Sequence, residues 1–297
     1  MNAVSLTNIT KDFPREGGDP LRAVNDLTLT IQKGEVFSLV GPDGAGKTTA
    51  IRMMCGVLPP TSGTVQILGL DVRRDRTEVK RHIGYLSQRF SLYADLTVDE
   101  NIDFFAEIHH VRDYRKRKEE LLEMTRLTPF RDRLAGRLSG GMKQKLALAC
   151  TLVHAPHVIF LDEPTTGVDP VSRRDFWRIL SGLLKTGMTI IVSTPYLDEA
   201  ERSSRVALMS EGKILQCDSP EAVRASFPLA VFEVVVDNVR AAAERLGARL
   251  GADCVQLFGD RLHVLLEAGS DSGGPASRMA SILTELDVRP SSVRQTL

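Results

Sequence analysis

The stretch GPDGAGKTT, residues 41–49, determines how the rest of this chain is interpreted. It follows the apolar run VFSLV and precedes a helical segment, which indicates a glycine-rich loop between a buried strand and a helix. Gly41, Gly46, Lys47 and Thr48 satisfy the spacing G-x-x-x-x-G-K-[ST]. Glycines let backbone amides wrap around a phosphate, and the following helix start favours an anion. The stretch therefore predicts a phosphate site in an α/β domain.

Two further groups of residues extend this prediction to a reaction. We expect Lys47 to reach the β- and γ-phosphates of a nucleotide and the Thr48 hydroxyl to ligate magnesium. A second apolar strand, in VIFLDEP, ends with Asp162 and Glu163. Asp162 can hold the magnesium shell, and Glu163 can polarise the attacking water as a general base. Two adjacent acids can also be an ordinary charge pair at a strand end, but the nearby phosphate loop favours the catalytic interpretation.

The composition excludes several classes of protein. The chain has 297 residues, and its Lys+Arg and Asp+Glu totals are both 38, so it lacks the basic excess of a general nucleic-acid binder. Its four cysteines form no C-x-x-C pair, which argues against a disulfide framework or a zinc site. No apolar run approaches the length of a membrane span. Any role at a membrane is therefore expected to depend on a partner.

The pattern of apolar segments indicates how the chain is organised. Buried strands in VIFLDEP and MTIIVST alternate with helices, which predicts a mostly parallel sheet covered on both faces. The segment RVALMSEGKILQCDSP predicts a hairpin that turns at Glu211-Gly212 and gives the sheet an antiparallel edge. Residues 89–149 are helical in pattern and predict an inserted helical subdomain, with Thr97 and Glu100 in a capping-box arrangement.

The pattern changes after residue 225. Strand-like segments such as LAVFEVVV and RLHVLLEA alternate with helical ones, and Gly259-Asp260 is expected to turn between two strands. We therefore predict a large domain over residues 1–225 and a small α+β domain of the βαββα kind over residues 226–297.

The segment LSGGMKQKLALA, residues 138–149, identifies the family. Ser139-Gly140-Gly141 opens an apolar-periodic helix and so provides a second anion-binding helix start. The order GPDGAGKTT, Gln88, LSGGM, LDEP, Asp169 and STPYLDEAE resembles the ATP-binding cassette (ABC) ATPases over roughly residues 1–225. The fold that this resemblance implies is an α/β P-loop NTPase.

The resemblance implies a head-to-tail dimer in which two cassettes enclose Mg²⁺ and ATP. One cassette contributes its phosphate loop, and the other contributes Ser139, Gly140 and Gly141. Gln88 matches the glutamine that links magnesium to the attacking water, and Asp169 matches the loop that crosses the dimer interface. Phe13 lies about where the family stacks an aromatic ring on adenine, although a simple core phenylalanine is the alternative. The implied loop residues are Gly41, Asp43, Gly44, Ala45, Gly46, Lys47, Thr48 and Thr49.

The same resemblance favours a membrane exporter. SQRFSLYADLTVDENI and the short helical insert resemble the ATP-hydrolysing subunits of drug- and antibiotic-type ABC exporters. This implies a multi-span permease partner, no nucleic acid, and a place at the cytoplasmic face of the inner membrane. Two alternatives remain: a non-transport ABC ATPase that remodels a soluble assembly, and an ATP-gated binding module with little turnover.

Pro195 departs from the family pattern. After the Ser-Thr of such a strand the family has a histidine that contacts the γ-phosphate, whereas proline has neither a side-chain donor nor a backbone N–H. We hypothesise that the site on this chain's own phosphate loop hydrolyses ATP slowly. Two alternatives stay open: that Pro195 changes little, and that a second, histidine-bearing cassette is the partner.

Overall fold

A computed structural model describes residues 1–15, 17–88, 92–226, 229–267 and 274–296. The chain divides into two compact units, Met1–Pro220 and Glu221–Leu297, each of which is described by itself. The division falls a few residues before the predicted boundary. Within the described ranges, every helix is too short or too polar to cross a lipid bilayer.

The strands of the first unit are β1 (Asn2–Phe13), β2 (Leu21–Gln32), β3 (Val36–Val40), β4 (Ser62–Ile67), β5 (Leu70–Asp71), β6 (Ile83–Leu86), β7 (Val158–Asp162), β8 (Thr189–Thr194), β9 (Arg205–Ser210) and β10 (Lys213–Asp218). Its helices are α1 (Lys47–Met54), α2 (Arg76–His82), α3 (Val98–Ile108), α4 (Arg115–Thr125), α5 (Gly140–Leu152), α6 (Pro170–Leu184) and α7 (Leu197–Ala200), and α8 (Pro220–Ala225) begins at its last residue. Short 3-10 turns cover Thr128–Phe130 and Ala135–Arg137.

The central sheet has the strand order β10-β9-β3-β8-β7-β6. All its neighbouring strands are parallel except β9 and β10, which form the predicted hairpin. Glu211 and Gly212 both have positive φ, of 48° and 76°, as a tight hairpin turn requires. Every residue of β3, β7 and β8 is buried, because helices cover both faces of a parallel sheet. The predicted mostly parallel sheet with an antiparallel edge is confirmed.

A second, antiparallel sheet has the order β2-β1-β4-β5. It is formed largely by the residues that precede the phosphate loop, so the antiparallel part of the unit is larger than the predicted hairpin. Ile51, Met53 and Met54 of α1 share one hydrophobic core with strands of both sheets. This core holds the phosphate loop, because α1 begins directly after it.

Helices α3, α4 and α5 contribute to a second core of the same unit, together with Phe176 and Trp177 of α6. The predicted capping box is present: the Thr97 hydroxyl accepts from the Glu100 amide, and the Glu100 carboxylate accepts from the Thr97 amide. Ser139 begins α5 in the same way, by accepting from the Met142 amide at 3.3 Å. Helices α3 and α4 and most of α5 lie in the predicted helical region, residues 89–149, of which residues 89–91 are outside the described part of the chain.

The second unit contains β11 (Leu229–Val235), α9 (Val239–Leu250), the 3-10 turn Ala252–Cys254, β12 (Val255–Phe258), β13 (Arg261–Glu267), α10 (Gly274–Glu285) and β14 (Ser292–Gln295). Its antiparallel sheet has the order β12-β13-β11-β14. Alternate residues of β11 and β13 are buried against α9 and α10. The turn at Gly259-Asp260 is confirmed, but βαββα is wrong because β14 completes a βαββαβ unit. Every residue of β14 is exposed, so it lacks the apolar alternation that identifies a strand.

Candidate nucleotide site

A pocket of about 560 Å³ lies beyond the carboxyl ends of the central strands, where open α/β sheets bind ligands. The loop after β3 forms one side of it, and residues after β7 and β8 form another. Most of the predicted site residues line it together: Phe13, Asp43, Gly44, Ala45, Gly46, Lys47, Thr48, Thr49, Gln88 and Glu163. Gly41, Asp162, Ser139, Gly140, Gly141 and Asp169 do not line it.

The phosphate loop is preorganised by its glycines and its lysine. Gly44 and Gly46 have φ of 81° and 99°, a region that side chains with a Cβ rarely adopt. Gly46 is the N-cap of α1, and among the described residues no side chain accepts a hydrogen bond from the first amides of this helix. The uncapped start of α1 therefore faces the pocket. The Lys47 ammonium donates to the carbonyls of Gly41 and Pro42 at 2.8 and 3.0 Å. It also lies 3.5 Å from Glu163 Oε1, so it already points into the site.

Asp162 is fully buried directly behind the loop. Its Oδ1 accepts hydrogen bonds from Thr48 Oγ1 at 3.0 Å and from Ser193 Oγ at 2.7 Å, and the Tyr85 hydroxyl lies 3.5 Å from Oδ2. These donors compensate the cost of burying a carboxylate. The structure thus brings together the carboxylate and the hydroxyl that the sequence predicted as magnesium ligands.

The donor set fits magnesium. Mg²⁺ prefers oxygen ligands and is commonly held by one or two carboxylates together with substrate phosphates. Thr48 and Asp162 supply such oxygens side by side. Within the described part of the chain, no group of three or more His, Cys, Asp or Glu side chains is arranged to hold a metal by itself. Phosphate and water oxygens would complete the coordination of a metal at this position.

Glu163 turns the chain sharply at the end of β7. Its φ is 48°, which is unusual for a residue with a side chain, and the residue is buried. Gln88 Nε2 donates to its Oε2 at 3.1 Å, and Thr166 Oγ1 donates to the same oxygen at 3.3 Å. With Lys47 beside Oε1, both carboxylate oxygens face donors that also line the pocket.

Pro195 lines the pocket together with Tyr196, directly after β8. No histidine occurs among the described residues that line it. The Tyr196 amide donates to Thr194 Oγ1 at 3.1 Å, and the Arg173 guanidinium lies 4.7 Å from the centre of the Tyr196 ring. The fully buried Glu199 accepts from Thr194 Oγ1 at 2.8 Å and pairs with Arg173. This segment is therefore tied to α6 as well as to β8.

The residues predicted to contact a second cassette, Ser139–Gly141 and Asp169, lie at the starts of α5 and α6, and these two helix starts contact each other. Ser139 begins α5, and Asp169 begins α6 by accepting from the amides of Val171 and Ser172 at 3.1 and 2.9 Å. These hydrogen bonds, from Ser172 first, lower the pKa of the Asp169 carboxyl. A Cβ on Gly141 would overlap the Ser172 hydroxyl, so only glycine lets the two helices approach this closely.

Sequence reasoning missed several residues of the site. Leu21 and Ala23 line the pocket beside Phe13, and Thr166 contacts Glu163. Two of the missed residues had local signals in the sequence: Thr166 follows LDEP within three residues, and Ser193 places a hydroxyl near the end of a buried strand.

Comparison with known proteins agrees with this geometry. The family model described as ABC transporter matches residues 24–166. The "Probable multidrug ABC transporter ATP-binding protein YbhF" of Escherichia coli is 48% identical over 222 residues, which are 74% of this chain. This chain spans only 38% of that protein's length. The "Daunorubicin/doxorubicin resistance ATP-binding protein DrrA" of Streptomyces peucetius is 35% identical over 283 residues, covering 93% of this chain and 85% of that protein.

A solved structure shares the fold of the first unit. It is the dimeric post-hydrolysis state of the ATP-binding cassette MJ0796 bound to ADP and Pi, with 28% identity and a TM-score of 0.67. The match covers 73% of this chain and 98% of that one. From the motifs, the pocket and these relatives together, we conclude that the chain belongs to the ABC transporter family and carries its ATP-binding cassette.

Proposed function

We propose that this chain binds and hydrolyses ATP as the motor subunit of an ABC exporter. The observation that carries the proposal is the arrangement around Glu163, whose carboxylate faces Lys47 and Gln88 in a pocket floored by the phosphate loop. A general base next to a phosphate-binding lysine is what the hydrolysis of a nucleotide requires. Relatives named for multidrug and daunorubicin resistance support an exporter.

Each residue has a definite task in this reaction. Lys47 donates to the β- and γ-phosphates, while the backbone amides of the loop from Asp43 to Thr49 surround the phosphate oxygens. Thr48, Asp162 and Gln88 would hold Mg²⁺, which would neutralise charge at those oxygens. Glu163 accepts the proton of the attacking water.

The adenine end of the pocket is apolar. Phe13 is partly buried and lines the pocket beside Leu21 and Ala23, and the Lys11 ammonium lies 5.3 Å from the centre of its ring. A ring that lines the pocket is available for stacking on a base, which supports the adenine role over that of a core residue.

A second cassette is needed to complete the site. Ser139, Gly140 and Gly141 open a helix start that does not line this chain's own pocket. We propose that they contact the nucleotide of a second cassette and that Asp169 lies at that interface. The remaining partner is a multi-span permease, which would hold this chain at the cytoplasmic face of the inner membrane.

Pro195 makes the site slower than one with a histidine. The lining of the pocket offers no imidazole at this position, and removing one preorganised donor to the transition state typically lowers a rate by about 10²–10³. Glu163 remains in place, so we expect weak rather than absent turnover. A histidine-bearing partner cassette would then carry most of the hydrolysis.

Steady-state ATPase activity of the pure chain tests the proposal, beside Pro195→His and Glu163→Gln. We expect slow hydrolysis by the wild type, faster hydrolysis by Pro195→His, and none by Glu163→Gln. Glu244→Gln, which changes an exposed carboxylate on α9, is the matched control and should hydrolyse at the wild-type rate. Fast hydrolysis by the wild type that Pro195→His leaves unchanged would show that the histidine is dispensable. Hydrolysis that survives in Glu163→Gln would overturn the role of Glu163.

The exporter part of the proposal is tested separately, by affinity purification of the chain from detergent-solubilised membranes. We expect a multi-span membrane protein to co-purify in stoichiometric amount. Recovery of the chain only with soluble proteins would contradict the exporter and favour a non-transport ABC ATPase.

A further inference from the structure

Ser193 is a buried hydroxyl between the two acidic residues of the site. It lies on β8 directly opposite Asp162 of β7 in the parallel register, and it is fully buried. A polar side chain in a strand buried on both faces needs hydrogen-bond partners to offset its burial. Those partners identify what the residue does.

One hydroxyl contacts both acids. Ser193 Oγ donates to Asp162 Oδ1 at 2.7 Å and accepts from the Glu163 amide at 3.0 Å. The directions are fixed, because an amide only donates and the single hydroxyl proton is therefore available to the carboxylate. The Ser193 carbonyl also accepts from the Glu163 amide, at 3.1 Å. The side chain on β8 thus couples the orientation of the Asp162 carboxylate to the backbone of Glu163.

The backbone of Glu163 needs such a restraint. Its φ of 48° lies in the left-handed region, which is disfavoured for a residue with a Cβ and persists only where the surroundings impose it. This turn directs the side chain toward Gln88 and Thr166, which contact one of its carboxylate oxygens. Because position 195 offers no imidazole, Glu163 is oriented here by Ser193 at the backbone and by Gln88, Thr166 and Lys47 at the carboxylate.

We propose that Ser193 is a positioning residue for hydrolysis, which holds the general base and the metal-binding carboxylate in a fixed relation. It does not contact the nucleotide pocket and acts only through Asp162 and Glu163. This inference rests on the proposed ATPase function.

Ser193→Ala is a clean test because it leaves no group without a partner. In the variant, the Glu163 amide still donates to the backbone carbonyl of residue 193, and Asp162 Oδ1 still accepts from the Thr48 hydroxyl. Ser38→Ala is the matched control: Ser38 is fully buried in β3 of the same sheet and bonds the Ser203 hydroxyl at 2.6 Å. Both variants lose one buried hydroxyl, but only the Ser193 hydroxyl contacts Asp162 and Glu163.

Two measurements on the full chain decide the matter. The first is steady-state kinetics, where Ser193→Ala should lower kcat by about tenfold to a hundredfold, since a small misplacement of the general base lowers the rate of the chemical step. Ser193→Cys, which restores the volume but donates weakly, should resemble Ser193→Ala. The second is binding of a fluorescent ATP analogue with Mg²⁺ and with EDTA, where Ser193→Ala should lose most of the Mg²⁺-dependent gain in affinity.

The outcomes separate this inference from the proposed function. Equal losses of kcat in Ser193→Ala and Ser38→Ala, full recovery in Ser193→Cys, or an unchanged kcat would overturn the positioning role. An inactive wild type would overturn the proposed hydrolysis, and the Mg²⁺-dependent binding would then decide on Ser193 alone. In that case, a Mg²⁺-dependent gain in ATP affinity that is the same in Ser193→Ala and in the wild type would overturn the positioning role of Ser193.

Discussion

Two helix starts in this chain look alike in sequence and differ in structure. Both α1 and α5 begin within glycine-containing segments, GAGKT and LSGGM, and either helix start could bind an anion. Gly46 begins α1 with no side-chain cap, inside the pocket. Ser139 begins α5 with its own hydroxyl as the cap, and the residue does not line the pocket.

The difference shows how one chain can hold half of each of two sites. Lys47 and the buried Asp162 lie beside the start of α1, which is the arrangement that the proposed phosphate site needs. The start of α5 instead packs on that of α6, through Gly141 and Ser172, and the Ser139 hydroxyl accepts from one of its first-turn amides, that of Met142. Changes at α1 should therefore act on binding by the single chain, and changes at α5 on events that need two chains.

The largest effect is expected from Lys47→Ala. It removes the charged donor to two phosphates, and because hydrogen bonds to charged groups contribute about 1.5–3 kcal/mol each, ATP affinity should fall by about a hundredfold or more. Titration with a fluorescent ATP analogue measures it, with Lys80→Ala on the exposed face of α2 as control. Unchanged affinity would show that α1 is not the phosphate receptor.

Next in size is the effect of a Cβ at the α5–α6 contact. Gly141→Ala overlaps the Ser172 hydroxyl, and such overpacking typically costs about 1–3 kcal/mol of unfolding free energy. Gly140→Ala is the matched control, because its Cβ would meet open space. Gly140→Ala should have the unfolding free energy of the wild type. It should nevertheless hydrolyse ATP more slowly, because the partner's nucleotide is proposed to approach Gly140. Chemical denaturation and ATPase assays report the two effects, and equal destabilisation of both variants would contradict the contact.

Ser139→Ala tests the cap itself. Losing an N-cap hydroxyl costs about 1 kcal/mol, so the unfolding free energy should fall by roughly that amount. Thr97→Ala removes the corresponding cap of α3 and should cost about the same. Only Ser139→Ala should also reduce ATP-dependent dimer formation, as measured by size-exclusion chromatography. Equal dimer formation by both variants would remove Ser139 from the proposed interface.

The smallest effect concerns pH at the start of α6. The amides of Ser172 and Val171 lower the pKa of the exposed Asp169 carboxyl below its unfolded value. The folded state therefore gains stability from Asp169 above about pH 4, and this gain is lost as pH falls through the lowered pKa. Asp169→Asn keeps a good cap but cannot titrate, so its unfolding free energy should fall less below about pH 4. Parallel pH profiles for the two proteins would show that the carboxylate contributes nothing.

The motifs and the elements that contain them could be predicted from the sequence alone. The phosphate loop, the Thr97 capping box and the strand ending at Asp162 depend on residues a few positions apart, and local spacing governs such features. The parallel sheet could be predicted as well, since continuous apolar strands need cover on both faces. β14 was not predicted, because it is short and exposed and such a strand has no alternation of apolar and polar residues.

The way in which these parts combine depends on contacts that form only in the folded chain. Ser193 meets Asp162 through the pairing of β7 with β8, and Thr166 and Gln88 meet at Glu163 from different loops. The signature helix start lies against α6 instead of lining the pocket. Each of these contacts joins residues that are apart in sequence or depends on a backbone turn such as that of Glu163. Strand register and helix packing set them, and both are properties of the whole folded chain.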